Sequence, residues 1–403
     1  MNHEISQLAQ KVTQAADSLN SQMVNFLADL IRIRSYTGQE RQAVERTLQE
    51  LKTIGCEEVW TDSAGNALGR IGSGKHIILY DAHLDTNEVA DESEWPHPPL
   101  EPVIENGAMW GLGASDCKGG VASIVYGAAI LKALKLDGDF SLIVMGATLE
   151  EDAEGFALRS LIEKDGLKPD VVLIAEATDL ALSIGQRGRC EVRVRTTGRA
   201  AHASQPELGD NAIMKMVPIL QELEAMIPSL PKHPIFGTGH QVVSMITGPN
   251  TPNSVPSWCE VTIDRRIVPG ETAESVLESI RRVVEPLGGQ AYIPEQPVLT
   301  HTGQRLDGPS FYPGWELSKD SPLFKSSQQT YQTLWGSPAN VIVWKFSSDG
   351  AYSAGTAGIP TIGFGPQEAQ YIHTAQDQVN LEKVRKAAMF YALFPILYTS
   401  QVE

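Results

Sequence analysis

Cationic side chains and cysteines are both scarce in this sequence. Its 32 Lys and Arg face 49 Asp and Glu, giving a formal net charge of -17 over 403 residues. Phosphate backbones are held by clustered Lys and Arg, so no nucleic-acid partner is expected. The four cysteines, Cys56, Cys117, Cys190 and Cys259, lie far apart and form no C-x-x-C pair. That spacing excludes a disulfide framework and a Cys-based zinc site. The stretch from Met1 has no basic segment leading into an apolar run, so no signal peptide is expected. No apolar run is seen to approach the roughly 18 residues of a membrane helix. A cytoplasmic protein with no membrane partner is the resulting expectation. Internal repeats and low-complexity segments are also lacking.

What remains is the composition of a globular enzyme, long enough for two or three domains or for one domain with a large insertion. Residues 18–35 and 40–54 read as amphipathic helices. His76–Asp81, Phe140–Met145 and Val171–Ile174 are short apolar runs suited to buried strands, with an Ala-rich helix at Val121–Leu134. Apolar strands alternating with helices predict an α/β fold, a mostly parallel mixed sheet flanked by helices on both faces. After Gly185 the texture changes. Glu191–Thr196 and Glu260–Ile267 alternate polar and apolar residues, as strands with one wet face do. Helices are expected at Asn211–Met226 and Glu271–Leu287, and a further strand at Ala291. Near Ser318 the first texture returns, with a helix at 320–335, strands at Val341–Trp344 and Thr361–Phe364, and a closing helix at 380–397. One α/β domain, 1–187 with 306–403, is thus expected to carry an inserted α+β lid or dimerisation domain, 188–305.

Five clusters carry chemistry, most of them where a predicted strand ends, the place where open α/β sheets build ligand sites. In Asp81-Ala-His83-Leu-Asp85, His83 suits a metal ligand, with Asp85 fixing its tautomer through the other ring nitrogen. Gly111–Gly120 surrounds Asp116 with glycines. Their spacing fits neither phosphate-loop pattern, whereas an Asp on a rigid loop suits a ligand bridging two metals. Thr148-Leu-Glu150-Glu151-Asp152 ends a buried strand. Adjacent residues diverge, so one Glu can bind metal while the other faces a water. Glu176 ends another strand, and His373 follows the last. Two His and several acids without Cys match zinc, cobalt or manganese. The count suits two divalent ions, each with one His and two acids, one acid being shared.

At this combination the sequence resembles the zinc aminoacylase, acetylornithine deacetylase, succinyl-diaminopimelate desuccinylase and glutamate carboxypeptidase family, nearest to its YgeY-type hydrolase branch. The resemblance implies a di-zinc amidohydrolase acting on a small N-acyl amino acid, or else a metallo-dipeptidase or carboxypeptidase. It implies His83, Asp116 and Glu176 on one metal, and Asp116, Glu151 and His373 on the other. It further implies Glu150 as general base, Asp85 as the partner of His83, and a cis Asp116–Cys117 peptide. In the inserted domain it implies His202 as an oxyanion stabiliser, often supplied by the partner subunit of a homodimer, and Asn253 and Arg266 as substrate-binding residues. Ser347-Ser-Asp349-Gly350 resembles a polar loop near the substrate. Ala177 departs from the usual Pro, and Thr300–Glu316 matches no motif.

Overall fold

The computed structural model describes residues 2–402. In chain order its first part holds α1 (Asn2–Arg32), α2 (Arg41–Thr53), β1 (Glu58–Thr61), β2 (Ala67–Ile71), β3 (His76–His83), α3 (Gly119–Leu134), β4 (Phe140–Ala147), α4 (Phe156–Glu163), β5 (Val171–Ile174) and β6 (Leu182–Gln186). The inserted part holds β7 (Gly188–Thr197), α5 (Ala212–Ala225), β8 (His240–Thr247), β9 (Trp258–Ile267), α6 (Ala273–Val284), β10 (Gln290–Tyr292) and β11 (Phe311–Tyr312). The return holds β12 (Trp315–Glu316), α7 (Pro322–Trp335), β13 (Val341–Trp344), β14 (Thr361–Gly363) and α8 (Leu381–Val402).

The main sheet runs β1-β2-β4-β3-β5-β14-β6-β12, with β13 also on β6. Its centre, β4-β3-β5-β14, is parallel. Its flanks pair antiparallel at β1/β2, β2/β4, β14/β6 and β6/β12. The fold is α/β with a mixed sheet, as expected, its parallel order concentrated at the centre. There both faces are covered. Ile78–His83 are buried without alternation, which is why those strands read as continuous apolar runs. The helices α1, α3, α7 and α8 pack on one another, and α2 packs on β2.

Two sequence expectations need correction. α1 begins at Asn2, far upstream of the expected 18; its first half buries only a thin stripe, Ala9, Val12 and Ala16. The stretch Ala114–Leu134 is also long and apolar enough, by length and composition, to cross a membrane. It is 83% buried inside the protein, which identifies it as the core helix α3. A Cβ at Gly127 would meet the Cβ of Tyr391 at 2.5 Å, so glycine permits the close α3–α8 approach.

The second sheet runs β8-β9-β7-β10, with β11 also on β7. β7 and β9 alternate buried and half-buried residues. Their apolar side packs on Met216, Ile219 and Leu223 of α5 and on Val276, Ile280 and Val284 of α6. The other side stays open. Register places Arg266 directly opposite Arg189. β11 pairs with Arg189 and Cys190, so the inserted sheet extends past residue 305. The unassigned segment from Thr300 lies against the main body instead. His301 Nε2 is 2.9 Å from the Gly65 carbonyl, and Leu306 and Tyr312 pack with Leu149 and Phe156.

Candidate metal centre

The central parallel strands deliver the chemistry to one edge of the main sheet. His83 is the last residue of β3. Glu150 and Glu151 follow the end of β4 by three and four positions, and Glu176 follows β5 by two. Asp116 sits in a tight turn at the head of α3. His373 lies in the loop after β14, with a left-handed backbone (φ 54°), a region in which His is among the commoner non-glycine residues.

These side chains converge in two triads. His83 Nε2 is 3.1 Å from Asp116 Oδ1 and 3.1 Å from Glu176 Oε1. His373 Nε2 is 2.9 Å from Asp116 Oδ2 and 3.1 Å from Glu151 Oε2. Asp116 therefore shares its two oxygens between two imidazoles. Glu150 belongs to neither triad. Its Oε2 stands 3.9 Å from His83 Nε2, and it lines a cavity of about 320 Å³ with Glu176, His373 and Arg266. The Asp116–Cys117 peptide is cis, as the resemblance implies.

No Lys or Arg forms an ion pair with Asp116, Glu150, Glu151 or Glu176 among the described residues. The imidazoles do the cations' work. Hydrogen bonds to Asp116 and Glu151 raise His373 to about 10. Burial pushes Asp116 up, but the two imidazoles outweigh it and hold that carboxyl low. Burial, with Asp116 beside it, lifts Glu151 to about 7. Burial, with Glu176 and Asp349 nearby, drives Glu150 well above the carboxylate range. A compact acidic set that borrows positive charge from imidazoles fits two divalent cations. Cys117 also lies near His83 and Glu176. Its thiol is pushed up by burial and donates to the Ala175 carbonyl at 3.1 Å, which occupies it as a neutral group.

Asp85 stands beside the Nδ1 of His83, as expected, and also supports the Glu150 loop. His83 Nδ1 lies 3.0 Å from the main-chain carbonyl of Asp85 and 3.6 Å from its carboxylate. The carboxylate also accepts the N–H groups of Glu150 and Glu151 and the hydroxyl of Thr37. Two residues without a motif join this support. Glu40 Oε1 accepts the N–H of Leu149. Asn87 Nδ2 donates to Glu151 Oε2 at 2.8 Å and lies 2.9 Å from His373 Nε2. Neither was legible as a site residue: Glu40 stands at the start of the helix expected at 40–54, and Asn87 is a single polar residue in a loop. Ala177 exploits its departure from Pro, since its N–H donates to Glu176 Oε2 at 3.3 Å. Asp349 accepts the Gly155 N–H beneath the site, and Ser347 lines the cavity.

From the inserted domain, Arg266 reaches this cavity while making a two-point contact with Asp264 at 2.8 and 3.0 Å. Arg189, which carries no motif, lines it too; its guanidinium meets Glu154 at 3.0 Å and lies over the Tyr312 ring. His202 and Asn253 are exposed and lie together, joined through the Ser254 bridge and the Ala203 N–H to the Asn253 carbonyl. Within one chain they are not brought to the metal-site residues.

Residues 79–395 match the model of Peptidase family M20/M25/M40. The chain belongs to that family. It is 34% identical to the Escherichia coli K12 protein YgeY over 96% of both chains. Succinyl-diaminopimelate desuccinylase of Halorhodospira halophila is 25% identical over 92% of this chain and 97% of that one. The di-peptidase Dug1p of Saccharomyces cerevisiae shares the fold with a TM-score of 0.74 at 14% identity, covering 99% of both chains. Family membership makes this chain a hydrolase of amide or peptide bonds.

Proposed function

We propose that the chain is a dinuclear metal amidohydrolase that cleaves a small N-acyl amino acid, with Glu150 as general base. The observation that carries this reading is the division of labour around Asp116. Its two oxygens serve two separate His–carboxylate sets, and Glu150 is left over, facing the same cavity. His83, Asp116 and Glu176 would hold one ion; His373, Asp116 and Glu151 the other. Nitrogen and oxygen donors suit zinc, with cobalt or manganese as alternatives. Two such cations, when bound, polarise an amide carbonyl and acidify water. Glu150 takes the proton of the attacking water as the C–O bond forms. It returns that proton to the amine nitrogen as the C–N bond breaks. Arg266 grips the substrate carboxylate. A dipeptide offers Arg266 the same carboxylate and is the second reading.

The functional unit in this proposal is a homodimer formed through the inserted domain. Edge strand β8 exposes Val242, Met245 and Ile246, and α5 exposes Ile213, Met214 and Val217. An open sheet edge beside exposed apolar side chains suits pairing with a second copy. His202 and Asn253 would then serve the neighbour's site, His202 at the developing oxyanion. The deciding experiment is Glu150→Gln. The variant is expected to lose turnover of N-acetyl amino acids while retaining both metals by elemental analysis. Substantial remaining activity would sink the base assignment.

A further inference from the structure

The turn that carries Asp116, residues 111–118, is held from outside by a carboxylate that the proposed mechanism does not use. Asp377 is buried. Its Oδ2 accepts the Gly113 N–H at 2.5 Å, and its Oδ1 accepts the Ser115 N–H at 2.7 Å. Its main-chain carbonyl accepts the Gly111 N–H at 3.1 Å. The Ser115 hydroxyl donates to the carbonyl of Gln378 at 2.5 Å. Beyond these contacts Gln378–Asn380 pairs antiparallel with Ala108–Trp110, the stretch that leads into the turn. Buried main-chain N–H groups require acceptors, and here one side chain supplies them on both sides of Ala114.

The position of Asp377 in the chain gives this contact its consequence. Asp377 follows His373 by four residues, and His373 Nε2 meets Asp116 Oδ2 at 2.9 Å. The hydrogen bonds of Asp377 therefore tie the segment that carries His373 to the turn that carries Asp116. The turn has a separate anchor toward the other triad. The Cys117 thiol donates to the carbonyl of Ala175, the residue before Glu176. Asp116 is thus braced toward Glu176 through Cys117 and toward His373 through Asp377.

We infer that Asp377 is a positioning residue that sets Asp116 against His373, and that it governs the affinity of the ion proposed for the His373, Asp116 and Glu151 set. It touches neither that ion nor substrate and acts through the Asp116 turn. This rests on the dinuclear reading and deepens it, because the separate anchors make the two affinities separable.

The test titrates metal-free full-length protein with zinc and, separately, with cobalt. His373→Ala marks which of the two binding steps belongs to the His373 set. Asp377→Asn keeps one acceptor oxygen, and its amide nitrogen accepts nothing. In that variant the marked step is expected to weaken by about 10- to 100-fold, the usual range for a group that orients metal ligands, while the other step moves far less. A lower unfolding midpoint with both affinities unchanged, or equal weakening of both steps, overturns the positioning role. If Asp377→Asn does not fold, Ser115→Ala removes the neighbouring tie to Gln378. It should weaken the same step by a few-fold, and unchanged binding of both ions there also overturns the role. Wild-type protein that binds fewer than two ions ends the dinuclear reading, and the role of Asp377 ends with it. Two ions bound without cleavage of any N-acyl amino acid or dipeptide would end the amidohydrolase reading and leave the role of Asp377 standing.

Discussion

The main-chain N–H of Glu150 donates to Oδ1 of Asp85 at 3.2 Å, and that of Glu151 donates to Oδ2 at 3.1 Å. One fully buried carboxylate thereby sets the direction of both the proposed base and a proposed ligand. Asp85→Ala leaves two buried N–H groups without an acceptor, which costs about 1–3 kcal/mol each. A lower unfolding midpoint and a kcat loss much larger than any KM change are expected. Asp85→Asn keeps one acceptor oxygen and should recover part of kcat. Equal damage from both variants would argue against this positioning role.

Glu40 supports the same loop and predicts a pH effect. Burial, then the nearby Asp85, raises its carboxyl from 4.5 to about 7. A carboxyl that protonates more readily in the folded state makes folding take up a proton. Its contribution to stability therefore declines as pH rises from about 4.5 to about 7 and is level above that. In Glu40→Gln this part of the pH dependence of unfolding should flatten. An unchanged slope over that window would show that Glu40 does not titrate there.

Arg266 is gripped by Asp264 at two points, which leaves a substrate role and a structural role to be separated. With charge-assisted hydrogen bonds at about 1.5–3 kcal/mol, Arg266→Ala should raise KM by roughly 10- to 100-fold for substrates with a free carboxylate. Carboxamide analogues should show little change. A fall in unfolding midpoint with KM unmoved would make the pair structural.

His202 and Glu150 offer a complementation test. If His202 serves the neighbour's site, His202→Ala and Glu150→Gln chains are each inactive alone. Mixed dimers then carry one site with an intact Glu150 and a neighbour's intact His202. Recovery of up to about a quarter of wild-type activity is expected for statistical mixing of closed two-fold dimers. Absence of recovery in verified heterodimers would place His202 elsewhere.

Metal removal should destabilise the folded chain. A ligand at about 100 times its dissociation constant stabilises by about 2.7 kcal/mol per site. Chelation should lower the unfolding midpoint, and added zinc should restore it. A midpoint indifferent to metal would contradict the fit of these acids to cations.

The central strands were legible because burial on both faces leaves an uninterrupted apolar run, as in Ile78–Leu79 and Val171–Ile174. Four of the five proposed ligand positions, His83, Asp116, Glu151 and Glu176, were legible because each sits just past such a run or in a glycine-framed turn, whereas His373 lies ten residues beyond the end of β14. Strand β8 was not, since Val242, Met245 and Ile246 face outward at a sheet edge and give no inward alternation to read. Glu40 and Asn87 were missed because their roles depend on long-range contacts, from Glu40 to Leu149 and from Asn87 to His373. Asp85 was found beside His83, but its second contact was not. Sequence spacing put the carboxylate beside His83, where it stands 3.6 Å from Nδ1, but held no sign that it also accepts the N–H groups of Glu150 and Glu151. The single-chain position of His202 is likewise beyond local pattern, because its proposed site belongs to another copy.

The inserted sheet leaves the main body at Gly188 and returns at Tyr312, and these ends are neighbours, since Tyr312 pairs with Arg189. Adjacent strands lie about 4.8 Å apart. The chain thus leaves and re-enters the main sheet at one narrow junction, and the other contacts of the insertion with the main body, such as Arg189 with Glu154 and His301 with Gly65, are made by side chains. Insertions of other shapes can be grafted at that junction while the five metal-site residues keep their places. In such a design, substrate range and hydrolytic chemistry can diversify on separate schedules.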